Sequence, residues 1–152
     1  KEDWTIEREG TTFSLPPGSF LAHAQEGLLV YSADTGSGRI DYAHCPDYFY
    51  CDTRGTRMNL GPVTLDGAAL VLQREWEIDI YPLECTEIMV EPAYFWADRR
   101  LPRLRLLAFK TEAEEPETLT KEIADKEIVF QPAADVYKYR ITLPEWMVEP
   151  GQ

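Results

Sequence analysis

His44 and Cys45 stand side by side, the two residue types from which a thiolate nucleophile and its general base are built. Neighbours on an extended strand point to opposite faces, so this pair cannot hydrogen bond directly. The other histidine is His23, and neither histidine has the acid and further histidines that a cupin-like metal cluster needs. Gly36-Ser37-Gly38 flanks a serine with small residues, but G-x-S-x-G and its strand-turn-helix context are missing, so the segment reads as a loop. Neither a phosphate-cradling P-loop nor a dinucleotide fingerprint is present. The three cysteines are Cys45, Cys51 and Cys85, an odd number that cannot be fully paired within one chain. On one extended strand Cys45 and Cys51 would lie roughly 20 Å apart, too far for a disulfide. Zinc would require CxxC pairs or nearby histidines, and only His44 is close, so the thiols are expected to be buried or idle.

Carboxylates are abundant. Glu75, Glu77 and Asp79 recur at period two, which places adjacent members roughly 6–7 Å apart on one strand face. Glycosidases use carboxyl pairs about 5–9 Å apart, but a solvated strand face is the expected use of this pattern. Asp34, Asp41, Asp47 and Asp52 offer oxygens for a structural calcium, without EF-hand spacing. A structural calcium is the one cofactor these residues suggest; no metal ligands are assigned, and the chain is expected to be non-catalytic.

Four Trp and eight Tyr point instead toward binding. Sugar rings present apolar C–H faces that stack on flat aromatic side chains, while polar neighbours hydrogen bond the hydroxyls. Tyr94, Trp96, Trp146 and Tyr48 are the candidate platforms, with core or interdomain packing as the competing use of the same rings. Tyr94-Phe95-Trp96 follows Pro92 and precedes Asp98-Arg99-Arg100, the setting of a loop with polar groups beside it. Trp76 is expected in the core, because it alternates with Ile78 and Ile80.

The elements that must carry these residues are short segments of period-two alternation, punctuated by Gly, Pro and Asp every eight to twelve residues. Asp34-Thr35-Gly36-Ser37-Gly38 predicts a hairpin joining residues 28–32 to 39–42, and Glu9-Gly10 predicts another near the amino end. Residues 76–82, 103–108 and 136–143 alternate as half-buried antiparallel strands. Residues 117–126 resemble a short amphipathic helix, residues 94–99 a further helical turn, and the acidic run 112–117 a connector. The rhythm predicts an all-β fold: an antiparallel β-sandwich, jelly-roll-like, with one or two short helical turns. The 152 residues fit a single domain, 1–152, and the start at Lys1 without Met suggests one excised from a larger polypeptide. A hydrophobic content of 44% is enough for a core.

The net charge of −12 repels phosphate backbones, which argues against nucleic acid and anionic membrane surfaces as partners. No apolar run approaches the roughly 20 residues of a membrane helix.

Asp52-Thr53-Arg54-Gly55, Leu60-Gly61-Pro62, Asp66-Gly67-Ala68-Ala69-Leu70-Val71 and the stretch from Trp76 to Tyr81-Pro82-Leu83 resemble a β-domain appended to catalytic barrels in bacterial glycoside hydrolases. The resemblance spans about residues 28–110 and rests on turn residues, so it transfers no functional residue. It implies a non-catalytic accessory role in a polysaccharide-active, bacterial, secreted or cell-surface protein. Its partners would be a neighbouring domain of the same polypeptide and a polysaccharide. Two other readings stand beside it: a protein-interaction or oligomerisation module, and a small β-barrel holding an apolar ligand.

Overall fold

The computed structural model describes residues 4–8, 10–25, 27–36, 38–96, 103–123 and 126–144. Among these residues the protein is an antiparallel β-sandwich with one short 3-10 turn at Pro92–Tyr94. The strands are β1 (Trp4–Arg8), β2 (Thr11–Leu15), β3 (Phe20–His23), β4 (Leu29–Asp34), β5 (Arg39–Cys45), β6 (Tyr48–Asp52), β7 (Met58–Asn59) and β8 (Val63–Leu65). They continue as β9 (Ala68–Gln73), β10 (Glu77–Glu84), β11 (Ile88–Val90), β12 (Leu104–Phe109), β13 (Glu117–Ile123), β14 (Ile128–Phe130) and β15 (Lys138–Thr142). No described helix is long and apolar enough to cross a membrane.

The larger sheet runs β1-β2-β4-β5-β6-β9-β10-β15-β12-β13, with β3 also paired to β4. The smaller runs β14-β11-β8-β7. This inequality shapes the molecule. The inner faces of β6, β9, β10, β15 and β12 meet the smaller sheet in one core that includes Val71, Ile80, Tyr139 and Ile141 from one layer and Leu65, Ile88 and Phe130 from the other. The smaller sheet ends at β7, whose Met58 packs with Phe13, Tyr31, Ala33 and Ile40 of β2, β4 and β5 in a second, smaller cluster.

Hairpin chemistry explains the register. Asp34 Oδ1 accepts from the Gly36 amide at 2.8 Å, and β4 then pairs with β5 from Asp34 opposite Arg39 to Leu29 opposite His44. Gly38 has φ +127° and packs so close to Met58 that a Cβ would sit 2.9 Å from the methionine methyl. Gly67 is more constrained: a Cβ there would overlap the Glu84 carbonyl, and its own carbonyl accepts from the Thr53 amide at 2.9 Å. The Asp66-Gly67 turn thus lets three chain segments meet with backbone in contact.

Four expectations are corrected. Residues 117–126 are not helical; Glu117–Ile123 form β13, paired with β12. Thr118 and Thr120 suit a strand, and β12 offered an open edge to pair with. The acidic connector accordingly ends at Pro116. Trp76 precedes β10 rather than facing inward from it, because Arg74 N donates to Glu77 O at 2.8 Å and turns the chain there; it is 36% exposed. Asp79 is not solvated. It is fully buried, directly opposite Arg140, whose Nε and Nη2 donate to its two oxygens at 2.6 and 2.9 Å while Nη1 reaches Glu77 at 2.9 Å. The hydrogen bonds to Asp79 raise the Arg140 pKa further. Cys45 and Cys51 do not share a strand either. Pro46 and Asp47 turn the chain between β5 and β6, Cys45 faces Tyr48 in the register, Cys51 faces Tyr42, and all three cysteines are free thiols.

Candidate functional site

The register aligns side chains across the larger sheet in rows. His23, Leu29, His44 and Phe49 form one row across β3, β4, β5 and β6, and Leu21, Tyr31, Tyr42 and Cys51 form the next. From these rows His23, Leu29, Tyr31, Tyr42 and His44 line a groove of about 800 Å³ that residues 57–61, at the edge of the smaller sheet, line as well, while Phe49 and Cys51 belong to the main core. An aromatic ladder crosses the floor. Phe13 meets Tyr31 edge-on at 4.8 Å, Tyr31 stacks on Tyr42 at 5.1 Å, Tyr42 on Phe49 at 6.3 Å, and Phe49 on Phe95 at 6.5 Å. Such ring pairs contribute about 0.5–1.5 kcal/mol each beyond the area they bury, so the ladder stiffens the open side of the sheet. Burial, with the neighbouring ionisable groups adding to it, pushes the Tyr31 and Tyr42 phenols up to about 12, so both stay neutral donors at any ordinary pH.

A second cleft of about 210 Å³ adjoins the first, and Tyr42 and His44 line both. Tyr48, Pro62, Gln73, Tyr94 and Phe95 complete much of its lining. Gln73 Nε2 donates to the Phe95 carbonyl at 3.2 Å, tying β9 to the 3-10 turn. Pro92 starts that turn, and Gly61, with φ +89°, lies where a Cβ would come 3.9 Å from the Tyr94 ring. The turn therefore presents Tyr94 at the cleft's mouth.

The four aromatic platforms fare differently. Tyr94 is 60% exposed and Tyr48 41%, and they line the same cleft although 46 positions separate them. Trp96 is a correction: only 5% exposed, it packs in the main core and its Nε1 donates to the Glu75 carbonyl at 3.1 Å. The same 3-10 turn that aims Tyr94 outward turns Trp96 inward. Trp146 lies outside the described residues. Sequence reasoning missed Tyr31, Tyr42, Arg57 and Asn59, and dismissed His23 and His44 with the catalytic motifs. A signal was available in the alternation Ile40-Asp41-Tyr42-Ala43-His44, which puts Ile40, Tyr42 and His44 on one face.

Several of the polar candidates elsewhere are engaged in structure. Asp52 Oδ1 accepts from the Arg54 amide at 2.8 Å, and Asp41 accepts from the Arg54 guanidinium at 2.6 Å. Burial raises the Asp41 pKa, but donors from Ser32 and Arg54 outweigh it and hold the carboxyl below its usual range. No group of three His, Cys, Asp or Glu converges among the described residues. Burial pushes the Cys51 thiol up to about 12 and Cys85 to about 11, which leaves little thiolate at either.

Fold and site together define a β-sandwich whose larger sheet extends past its partner and carries an open, aromatic-floored groove. Comparison with protein-family models, curated proteins and solved structures yields no match.

Proposed function

We propose that this protein is a non-catalytic, carbohydrate-binding accessory domain that takes a glycan along the groove and its adjoining cleft. One observation carries the reading: Tyr48 and Tyr94, both exposed, share a cleft with the polar groups of His44 and Gln73. Flat rings for C–H faces and nearby donors and acceptors for hydroxyls are what a sugar requires. Trp4 and Phe20, exposed on β1 and β3, supply an apolar surface for a neighbouring domain of a secreted bacterial polypeptide. Calorimetric titration against common soluble polysaccharides tests the binding. We expect Tyr94→Ala and Tyr48→Ala each to weaken it about tenfold, which is about 1.4 kcal/mol. Flat heats with every polysaccharide would leave only the scaffold role.

A further inference from the structure

The chain carries 27 acidic residues, yet no described residue lining the groove or the adjoining cleft is Asp or Glu. The same lining holds both histidines of the chain, His23 and His44, together with Arg57. Asn59, Thr35 and Tyr42 add uncharged hydrogen-bonding groups. In a molecule of net charge −12, this surface is set apart from its surroundings by a described lining without carboxylates. At physiological salt the remaining carboxylates are screened beyond about 8 Å, so the local donors decide what settles in the groove.

We propose that the groove selects acidic glycans, taking a linear chain whose uronate carboxylates are held by Arg57 with His23 and His44 alongside. This rests on the carbohydrate reading above and narrows it. The groove and the cleft share Tyr42 and His44, so their floor is continuous from β2 to the 3-10 turn. Exposed His23 and Gly27 line the groove, exposed Tyr48 and Tyr94 line the cleft, and Gly27 lies beside Pro46 of the cleft. At about 4.8 Å per strand, crossing β2, β4, β5 and β6 gives a path on the order of 15–20 Å. That length suits an internal run of several sugar units rather than a chain end.

Arg57 is positioned for the recognition. Its side chain is about half exposed, and its Nη1 lies 2.8 Å from Glu87 Oε1. A guanidinium has five N–H donors, so one carboxylate contact does not exhaust it, and a planar carboxylate is its best-matched partner. Glu87 competes with a ligand carboxylate for the same cation.

The test uses the full chain and three uronate polymers (polygalacturonate, alginate and hyaluronan), each beside its carboxyl-reduced counterpart, which keeps the backbone and removes the charge. Affinity is read by calorimetry. We expect at least one uronate polymer to bind about tenfold or more tighter than its reduced form, and Arg57→Gln to abolish most of that difference. Glu87→Gln, which frees the guanidinium, should strengthen uronate binding several-fold; a purely structural role for Arg57 would not do this. Arg57 is exposed, and thermal melting of each variant verifies that it folds. Reduced polymers binding as tightly as their uronates would overturn the acidic selectivity and leave the carbohydrate reading standing. Absence of binding by every polymer in both forms would overturn both.

Discussion

The two ends of the larger sheet solve the same problem differently. From β6 to β12 its inner face is buried against a second sheet, and inward residues such as Ile78, Ile80, Val71 and Ile141 are fully inaccessible. From β2 to β5 only the edge strand β7, through Met58, reaches the buried cluster, and the groove there is lined by larger, flatter and more polar residues: Tyr31, Tyr42, His23 and His44. A face that must fill a closed interior wants aliphatic chains that interdigitate at crystal-like density. One that stays partly open can use rings that stack on each other and keep a polar atom toward water. The closed end gives the fold its stability, and the open end gives it a surface on which something can bind.

The largest predicted effect tests the closed end. Gly67→Ala should cost more than about 4 kcal/mol, because a methyl group would have to occupy the place of the Glu84 carbonyl. Gly38→Ala, at the open end, meets only the flexible tip of Met58 and should cost about 1–3 kcal/mol, mostly through its positive φ. Urea unfolding of the two variants measures the contrast, and equal losses would erase the distinction between the ends.

Next comes the ion pair on the outer face of the closed end. Asp79→Ala leaves the Arg140 guanidinium without its bidentate partner and should cost about 3–5 kcal/mol. The double replacement Asp79→Leu with Arg140→Met should recover most of that loss, since an apolar pair of similar bulk removes the unpaired charge. Failure of the double variant to recover would show that Glu77 and the Phe109 ring beneath Arg140 contribute more than the pair itself.

Truncations within the two cores sharpen the comparison further. Ile80→Ala should cost about 4 kcal/mol and Ile40→Ala about 2, the upper and lower parts of the range for such changes, because the open end can relax into the space left behind.

Alkaline pH separates the ends by chemistry. Tyr31 and Tyr42 ionise at about 12 in the folded state, against an ordinary 10 when unfolded. Their neutral form is favoured by folding, so the stabilisation is complete below pH 10 and is lost as pH rises from 10 through about 12. Tyrosinate absorbance at 295 nm should therefore lag behind that of the urea-unfolded chain, and Tyr31→Phe with Tyr42→Phe should reduce the lag. The smallest effect concerns thiols: Cys51 should resist iodoacetamide in the native protein and react only on unfolding, as read by mass spectrometry of labelled peptides.

Alternation and turn chemistry made much of the sheet legible. Ile78 and Ile80, Tyr139 and Ile141, and Leu104 and Leu106 are inward because a strand's side chains alternate, and a period of two is visible in any sequence. The Asp34–Gly38 turn likewise announces its own hairpin. Residues 117–126 misled because Leu119 and Ile123 are also spaced as on a helix, and only the open edge of β12 decides between the two.

Which strands lie opposite which is a long-range matter that local spacing does not encode. Asp79 needed Arg140, 61 positions away, to change from a solvated acid into a buried one. Tyr94 and Trp96 are two residues apart and chemically alike, yet a single 3-10 turn sends one to the cleft and the other to the core. The uncovered end of the sheet has the same origin. Strand propensity is set residue by residue, whereas the place where the second layer stops, and so where a groove opens, is set by the packing of segments far apart in the chain.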